Sequence, residues 1–307
     1  ADIARLLREL EIDIAVDLNG YTEGMRPGVL AHRPAPVQVN YLGFPGTLGA
    51  AYMDYIVADA TVIPDRQRPF FTEKVVHLPD SYQANDRLRP ISDRTFARDE
   101  LGLPPDGFVF CCFNNNYKIT PQTFDGWMRI LVHVPGSVLW LIEDNATASA
   151  NLRKEAAARG VDPQRLVFAA RMVPEEHLAR HRCADLFLDN MPYNAHTTAS
   201  DALWAGLPLL TCAGETFAGR VAASLLRAMG LPELVTSSQD DYERLAVELA
   251  TKPDRLKALR QKLADNRLTA PLFDTVRFTR HLEQAYGAMH TRRKAGQKPE
   301  HIVIGSG

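Results

Sequence analysis

Ala184-Asp-Leu-Phe-Leu-Asp-Asn-Met-Pro-Tyr-Asn-Ala-His-Thr-Thr-Ala-Ser-Asp201, continuing through Ala202-Leu-Trp-Ala-Gly-Leu-Pro-Leu-Leu-Thr-Cys212, holds a strand, a polar loop, a helix and a second strand. The apolar run 184–188 is strand-like, and Pro192 and Asn194 break it. Thr197 or Thr198 is placed to cap a helix over 199–205, which Gly206-Leu-Pro208 ends before the strand Leu209 to Cys212. A helix start at the carboxyl end of a parallel strand presents unpaired N–H groups and partial positive charge, which suits a phosphate. Asp201, about one turn in, is then placed to accept hydrogen bonds from sugar hydroxyls. The same residues also fit an ordinary capped helix with a surface histidine, so the neighbouring segments must decide.

Outward from this unit the same rhythm repeats. Strands are expected at Phe108 to Phe113, Ser137 to Ile142, Arg165 to Ala169, Asp185 to Asp189 and Leu209 to Cys212. Helical patterns lie between them at Pro121 to Val132, Thr147 to Arg159, Pro174 to Cys183 and Thr198 to Gly206. Such alternation is the signature of a doubly wound parallel sheet. Upstream, a helix at Ile3 to Leu10 precedes short strands at Ile12 to Leu18, Val37 to Leu42, Tyr55 to Val57 and Val75 to Leu78. The stretch Asp80 to Asp106, rich in Asp, Arg and Pro, reads as a linker. Downstream come helices at Thr216 to Met229, Gln239 to Thr251, Pro253 to Asn266 and Phe273 to Lys294. The tail Gly296 to Gly307 is expected to fray.

The 307 residues suffice for one large or two ordinary domains. A formal net charge of -2 leaves no electrostatic footprint for nucleic acid or an anionic membrane, and no apolar run reaches the length of a membrane span. Cys111, Cys112, Cys183 and Cys212 fit neither a metal clip nor a disulfide framework and read as reduced core residues, hence a cytoplasmic protein. No repeat of helix-pair length occurs. The chain opens at Ala1 inside a helical pattern, and is expected to be a piece of something longer.

In an open parallel sheet, ligands bind outside the carboxyl ends of the strands. The loops there are polar. After the first strand of the second lobe comes Asn114-Asn-Asn-Tyr-Lys-Ile-Thr120, in which Lys118 can serve as a point charge on a diphosphate or stand as one more solvated cation. After the third comes Arg171-Met-Val-Pro-Glu-Glu-His-Leu-Ala-Arg180. Glu175 and Glu176 suit the first turn of a helix, whereas His177 and Arg180, three apart, either contact a base or ribose together or form a solvated face. These groups follow successive strands and therefore converge on one crevice.

At this point the residues resemble the O-linked N-acetylglucosamine transferases. The resemblance rests on Asn114-Asn-Asn-Tyr-Lys-Ile-Thr-Pro121, Pro174-Glu-Glu-His177, Asn194-Ala-His-Thr-Thr198 with Asp201, Trp204-Ala-Gly206 and Gly214-Glu-Thr-Phe-Ala-Gly-Arg-Val-Ala-Ala-Ser224. Asp17-Leu-Asn-Gly-Tyr-Thr22, Arg33-Pro-Ala-Pro-Val-Gln38 and Leu42-Gly-Phe-Pro-Gly-Thr47 add to it, so that it runs from about Ile12 to Ile304. It implies an α/β, two-lobed GT-B type glycosyltransferase with a Rossmann-like doubly wound second lobe and an incomplete first lobe. Residues 1–95 would be the C-terminal part of the first catalytic lobe, 96–267 the donor-binding lobe, and 268–307 a helix returning to the first lobe, with the tail.

The resemblance also implies roles. Lys118 matches the lysine on the donor diphosphate, with Asn115 beside it where relatives carry Gln. His177 matches the histidine beside the nucleotide, and Arg180 the arginine near the uracil. His196, Thr197 and Thr198 match the phosphate-binding helix start, Asp201 the ribose-binding aspartate, and Leu42, Gly43 and Pro45 the loop facing the sugar. Pro174 departs from the pattern, standing where many relatives carry a lysine on the donor. The family's helical (TPR) repeats and the first part of its amino-terminal lobe have no counterpart and would lie before Ala1.

The implied reaction moves N-acetylglucosamine from UDP-GlcNAc to Ser or Thr hydroxyls of proteins, with inversion. The leaving diphosphate is stabilised by Lys118 and the amides at Thr197 and Thr198. No Asp-x-Asp pair occurs anywhere, and no metal or other cofactor is expected. Asp189 and Glu215 border the crevice, with core or capping roles expected for each, and no general base is assigned. Two other readings stand beside this one: a protein O-fucosyltransferase using a GDP-sugar, and an inactive UDP-binding fragment. His196 together with Asp201 favours the UDP-GlcNAc reading over the first.

Overall fold

The structure, a computed structural model, describes residues 2–305. In chain order the first elements are α1 (Asp2–Glu9), β1 (Ile14–Asp17), α2 (Pro27–Ala31), β2 (Val37–Asn40), β3 (Tyr55–Asp59) and β4 (Lys74–Leu78). There follow β5 (Val109–Cys112), α3 (Pro121–His133), β6 (Val138–Ile142), α4 (Ala146–Ala158), β7 (Leu166–Ala169), α5 (Pro174–Arg180), β8 (Leu186–Leu188), α6 (Thr197–Trp204) and β9 (Leu209–Cys212). The chain ends with α7 (Val221–Ala228), β10 (Val235–Thr236), α8 (Gln239–Thr251), α9 (Pro253–Asn266), α10 (Thr275–Lys294) and β11 (Ile302–Val303). These elements form two compact units, one comprising Asp86–Phe273 and the other everything before and after it.

The central unit carries six parallel strands in the order β10-β9-β8-β5-β6-β7. Renumbered within the unit and read from the β7 edge, this is 3-2-1-4-5-6, the doubly wound arrangement with its switch point between β5 and β8. Helices cover both faces, so the strands are apolar throughout: every residue of Val109–Cys112 and Val138–Ile142 is buried. Local chemistry starts the helices where the pattern placed them. Thr120 accepts from the Thr123 amide at 3.2 Å with Pro121 in the first turn of α3, and Asn145 accepts from Ala148 at 2.8 Å to start α4. All four cysteines are buried and free.

The flanking unit has a five-stranded parallel sheet, β1-β2-β3-β4-β11, with α10 packed on β2 and β4. A tightly built loop follows β2. Gly43 lies against β1's continuation so closely that a Cβ would stand 2.1 Å from the Leu18 carbonyl oxygen, and Leu42 adopts φ +71. The loop is held from below by Glu73, 1% exposed, whose carboxylate accepts from the Leu48 amide at 2.7 Å and from the Thr47 hydroxyl at 2.5 Å.

Three expectations need correction. The tail does not lack structure: Ile302 and Val303 pair with Val76 and His77, and the Val75 amide donates to His301 Nδ1 at 2.9 Å. A two-residue edge strand has no periodicity to read, and its order comes from its partner; Ser306 and Gly307 lie outside the described residues. The helix expected from Thr216 begins only at Val221, because Gly214 and Gly219 close a loop first (Gly214 N to Gly219 O, 2.7 Å). Gly219 also backs onto the Pro192 carbonyl, 2.7 Å from where a Cβ would sit. Finally, residues 86–106 are no free linker. They form a strap along the central unit, tied by Ser92 N to Glu175 O (3.1 Å) and by Arg98 to Asp185 (3.0 Å). Among the described residues, no helix is long and apolar enough to cross a membrane.

Replacing Glu73 with alanine strands the buried Leu48 amide. Urea denaturation of Glu73→Ala is expected to report a loss of about 2–4 kcal/mol, and a loss below about 1 kcal/mol would contradict this account of the loop.

Candidate functional site

At the switch point, two neighbouring strands send their chains in opposite directions and open a crevice. The loop after β8 is built around Asp189, which is fully buried. Its carboxylate accepts from the amides of Asn190 at 2.8 Å and Ala195 at 2.6 Å, and from the Thr211 hydroxyl at 2.6 Å. One side chain thus fixes both ends of the loop to β9, which is the core role expected of it. The loop after β5 is sewn to it: Asn114 donates to Asn190 Oδ1, Thr198 donates to Asn114 Oδ1, and Thr123 donates to the Met191 carbonyl at 2.6 Å.

This sewing brings Lys118 to the start of α6. Its ammonium donates to the Asn194 carbonyl at 3.0 Å and stands 4.2 Å over the Tyr193 ring, which itself stacks on His196 at 5.1 Å. That is its one hydrogen bond among the described residues. An ammonium has three N–H groups, so two have no hydrogen-bond acceptor among the described residues. Burial lowers the Lys118 pKa, against the pull of Asp189. Lys118 is therefore no solvated surface cation.

α6 starts at Thr197, but neither threonine caps it. His196 occupies the cap position with no side-chain cap bond, its carbonyl taking the Ala199 and Ser200 amides at 3.1 Å each. Thr198 has spent its hydroxyl on Asn114 instead. The first amides, at Thr197 and Thr198, precede any intrahelical acceptor. His196 is not a surface histidine either; Nε2 faces the Ala218 carbonyl at 3.4 Å, and burial with Lys118 nearby drives its pKa down to about 3.

Next to this tip lies a cleft of about 300 Å³ lined by Asn115, His177, Arg180, Thr198 and Asp201, with Pro174 at its edge. His177 and Arg180 do not form a solvated face. Arg180 is 0% exposed, lies 4.8 Å over Phe113 and donates to the Ala170 carbonyl at 2.6 Å. It also donates to His177 Nδ1 at 2.5 Å, which puts the imidazole proton on Nε2. Burial first, then the charges around it, lower His177 to about 3, so it is neutral at pH 7. Burial lowers Arg180 to about 10, which leaves it charged.

Sequence reasoning missed four contributors. Arg89 and Arg171 line the cleft, Phe113 floors it, and Tyr193 stacks beside Lys118. Arg89 bonds Asp201 at 2.7 Å, and Arg171 bonds Asp144 at 2.6 Å. Tyr193 sits inside the opening motif and was legible as part of it; Arg89 lies in aperiodic sequence with no signal. Leu42, Gly43 and Pro45 belong to the other unit, where Leu42 and Gly43 are exposed and Pro45 is half-buried. Glu215 is exposed. Among the described residues, no group of three or more His, Cys, Asp or Glu side chains could hold a metal ion. A larger cavity, about 420 Å³, lies at the opposite end of the same sheet, but Arg98 and Arg260 there are both paired with Asp185.

The profile of glycosyl transferase family 41 matches residues 2–96 and 90–282. The chain belongs to that family. Among curated relatives, the probable UDP-N-acetylglucosamine–peptide N-acetylglucosaminyltransferase SEC of Arabidopsis thaliana is 42% identical, covering 98% of this chain and 32% of the relative. The UDP-N-acetylglucosamine–peptide N-acetylglucosaminyltransferase of Caenorhabditis elegans is 31% identical over 95% of this chain and 35% of its own length. The chain thus spans about a third of these relatives. A solved lysine-to-methionine mutant of Thermobaculum terrenum O-GlcNAc transferase superposes with a TM-score of 0.86 at 33% identity, covering 96% of this chain and 56% of that one. With two parallel α/β units, the family 41 chain has the GT-B type fold.

Asp189 carries a pH signature. Burial raises its pKa from 3.8 to about 7, its hydrogen bonds and Lys118 opposing this. The folded state therefore keeps a proton that the unfolded chain releases above its own pKa. That contribution to stability is complete below about pH 4 and drains away as pH rises through 7. Relative to Asp189→Asn, the unmodified chain should lose about 2–3 kcal/mol between pH 5 and pH 7.5 in urea titrations. A pH-independent difference would contradict the assignment.

Proposed function

We propose that this chain carries the donor-binding machinery of an inverting glycosyltransferase that moves N-acetylglucosamine from UDP-GlcNAc to Ser or Thr hydroxyls of proteins. The observation that carries the proposal is the meeting of a half-buried Lys118 ammonium, two of its donors without an acceptor among the described residues, with the uncapped start of α6. The relatives' names support the same donor and a peptide acceptor. In the reaction, the acceptor hydroxyl oxygen bonds to the anomeric carbon as the bond to the diphosphate breaks, and the hydroxyl proton leaves with the diphosphate or to water, no side chain of this chain being assigned as its base. Negative charge then grows on the leaving phosphate. Lys118 and the amides of Thr197 and Thr198 meet that charge, aimed beforehand in a desolvated site, with Asn115 alongside and no metal required. Neutral His177 and charged Arg180 flank the base, neutral His196 the phosphates, and Asp201 takes the ribose hydroxyls.

Pro174, exposed at the start of α5, brings no charge to the donor. The whole protein would add helical repeats and the remainder of the first lobe, which select the protein acceptor. The four free, buried thiols suit a reducing cytoplasmic setting, and the formal net charge of -2 suits neither nucleic acid nor an anionic membrane as partner.

Transfer assays on the full-length protein should show Lys118→Met slowed by about 10²–10³-fold or more, with the melting temperature nearly unchanged. Turnover at the unmodified rate would rule out the diphosphate role. Titration with UDP and GDP separates the rival readings. Preference for GDP indicates the fucosyl donor, and UDP binding without transfer to any peptide indicates an inactive module.

A further inference from the structure

Arg89 is pinned to α6 at two points although nothing in its sequence surroundings is periodic. Its carbonyl accepts from the Trp204 indole N–H at 3.0 Å, and its guanidinium holds Asp201 Oδ1 at 2.7 Å. Asp201 and Trp204 are three residues apart, so the strap lies along one face of the helix. Trp204 is itself fixed: its ring packs on Phe273 at 4.9 Å, and its carbonyl accepts from Arg267 at 3.1 Å. The backbone anchor therefore keeps the guanidinium at the cleft.

Asp201 supplies the one carboxylate in the lining of that cleft, and its side chain is 13% exposed. A carboxylate this shielded needs a partner to remain charged. Burial raises its pKa and Arg89 is the group that opposes the rise. A carboxylate has two oxygens able to accept, and Arg89 occupies Oδ1, leaving Oδ2.

We infer that Arg89 is a positioning residue for nucleotide binding, holding the Asp201 carboxylate so that its second oxygen receives the hydroxyls of a ligand's vicinal diol. The inference rests on the nucleotide-sugar reading of the cleft and adds a residue to it from the strap. Arg89 acts through Asp201, so its loss must change how strongly the site feels a ribose hydroxyl. A merely structural arginine would lower stability and leave that preference intact.

The test is calorimetry of this chain with UDP, 2′-deoxy-UDP and 3′-deoxy-UDP, on the unmodified protein, Arg89→Ala and Arg89→Lys. The unmodified chain should bind UDP about tenfold more tightly than the weaker-binding deoxy analogue, the worth of one hydrogen bond to a charged group. In Arg89→Ala that ratio should fall below about twofold, and Arg89→Lys, which retains a cation, should recover most of it. Full discrimination in Arg89→Ala overturns the inference. So does a folded Arg89→Lys that ignores the hydroxyls as alanine does, or an unmodified chain that binds UDP without discriminating. Failure of the unmodified chain to bind any of the three is a separate result, which removes the donor-site reading and the inference with it.

Discussion

The architecture of the site depends on a single buried carboxylate. Asp189 sits at the end of β8, where the sheet reverses its winding, and gathers the amides at both ends of the following loop. Burying a carboxylate is costly, and hydrogen bonding to every available oxygen is what makes the position tolerable. Two amides and the Thr211 hydroxyl do this, with the Lys118 charge close by. Because the loop is closed in this way, Ala195 and His196 deliver the chain to α6 at a set angle. The tip of α6 then faces the loop that carries Lys118.

A second constraint is the withdrawal of cations from water. Lys118 is half-buried over Tyr193, and Arg180 lies fully inside, against Phe113 and Trp140. The imidazoles nearby have given up their protons: His177 and His196 are held down at about 3 and His181 at about 4. Positive charge is therefore concentrated on a few fixed groups. Such a site is prepared for an anion, since the reorganisation that water would need has been completed during folding. Asp201 is the exception, and its pairing with Arg89 keeps a carboxylate usable in these surroundings.

Much of the central unit was legible in the sequence. Alternating apolar runs and capped helices placed β5 to β9 and α3 to α6 to within a few residues, because a strand buried on both faces must be continuously apolar. The polar loops at the carboxyl ends followed from the sheet's handedness and order. The misreadings share one cause. The cap of α6, the strand at 302–303 and the strap at 86–106 are settled by partners distant in the chain, and the local Gly214–Gly219 closure that delays α7 is backed by the distant Pro192 carbonyl. Thr198 looked like a cap until Asn114, 84 residues away, took its hydroxyl.

Residue types and their spacing thus determined by themselves that the chain contains a doubly wound parallel sheet with Lys118, His177, Arg180 and a Thr-Thr helix start on its carboxyl side. Periodicity and turn chemistry are local properties, and both can be read along a chain. Only the tertiary structure decided that His177 is neutral, that Arg180 lies under the cleft rather than in solvent, and that Asp201 is already paired. Those states depend on desolvation and on charges brought close by folding, and neither exists until the strands have assembled.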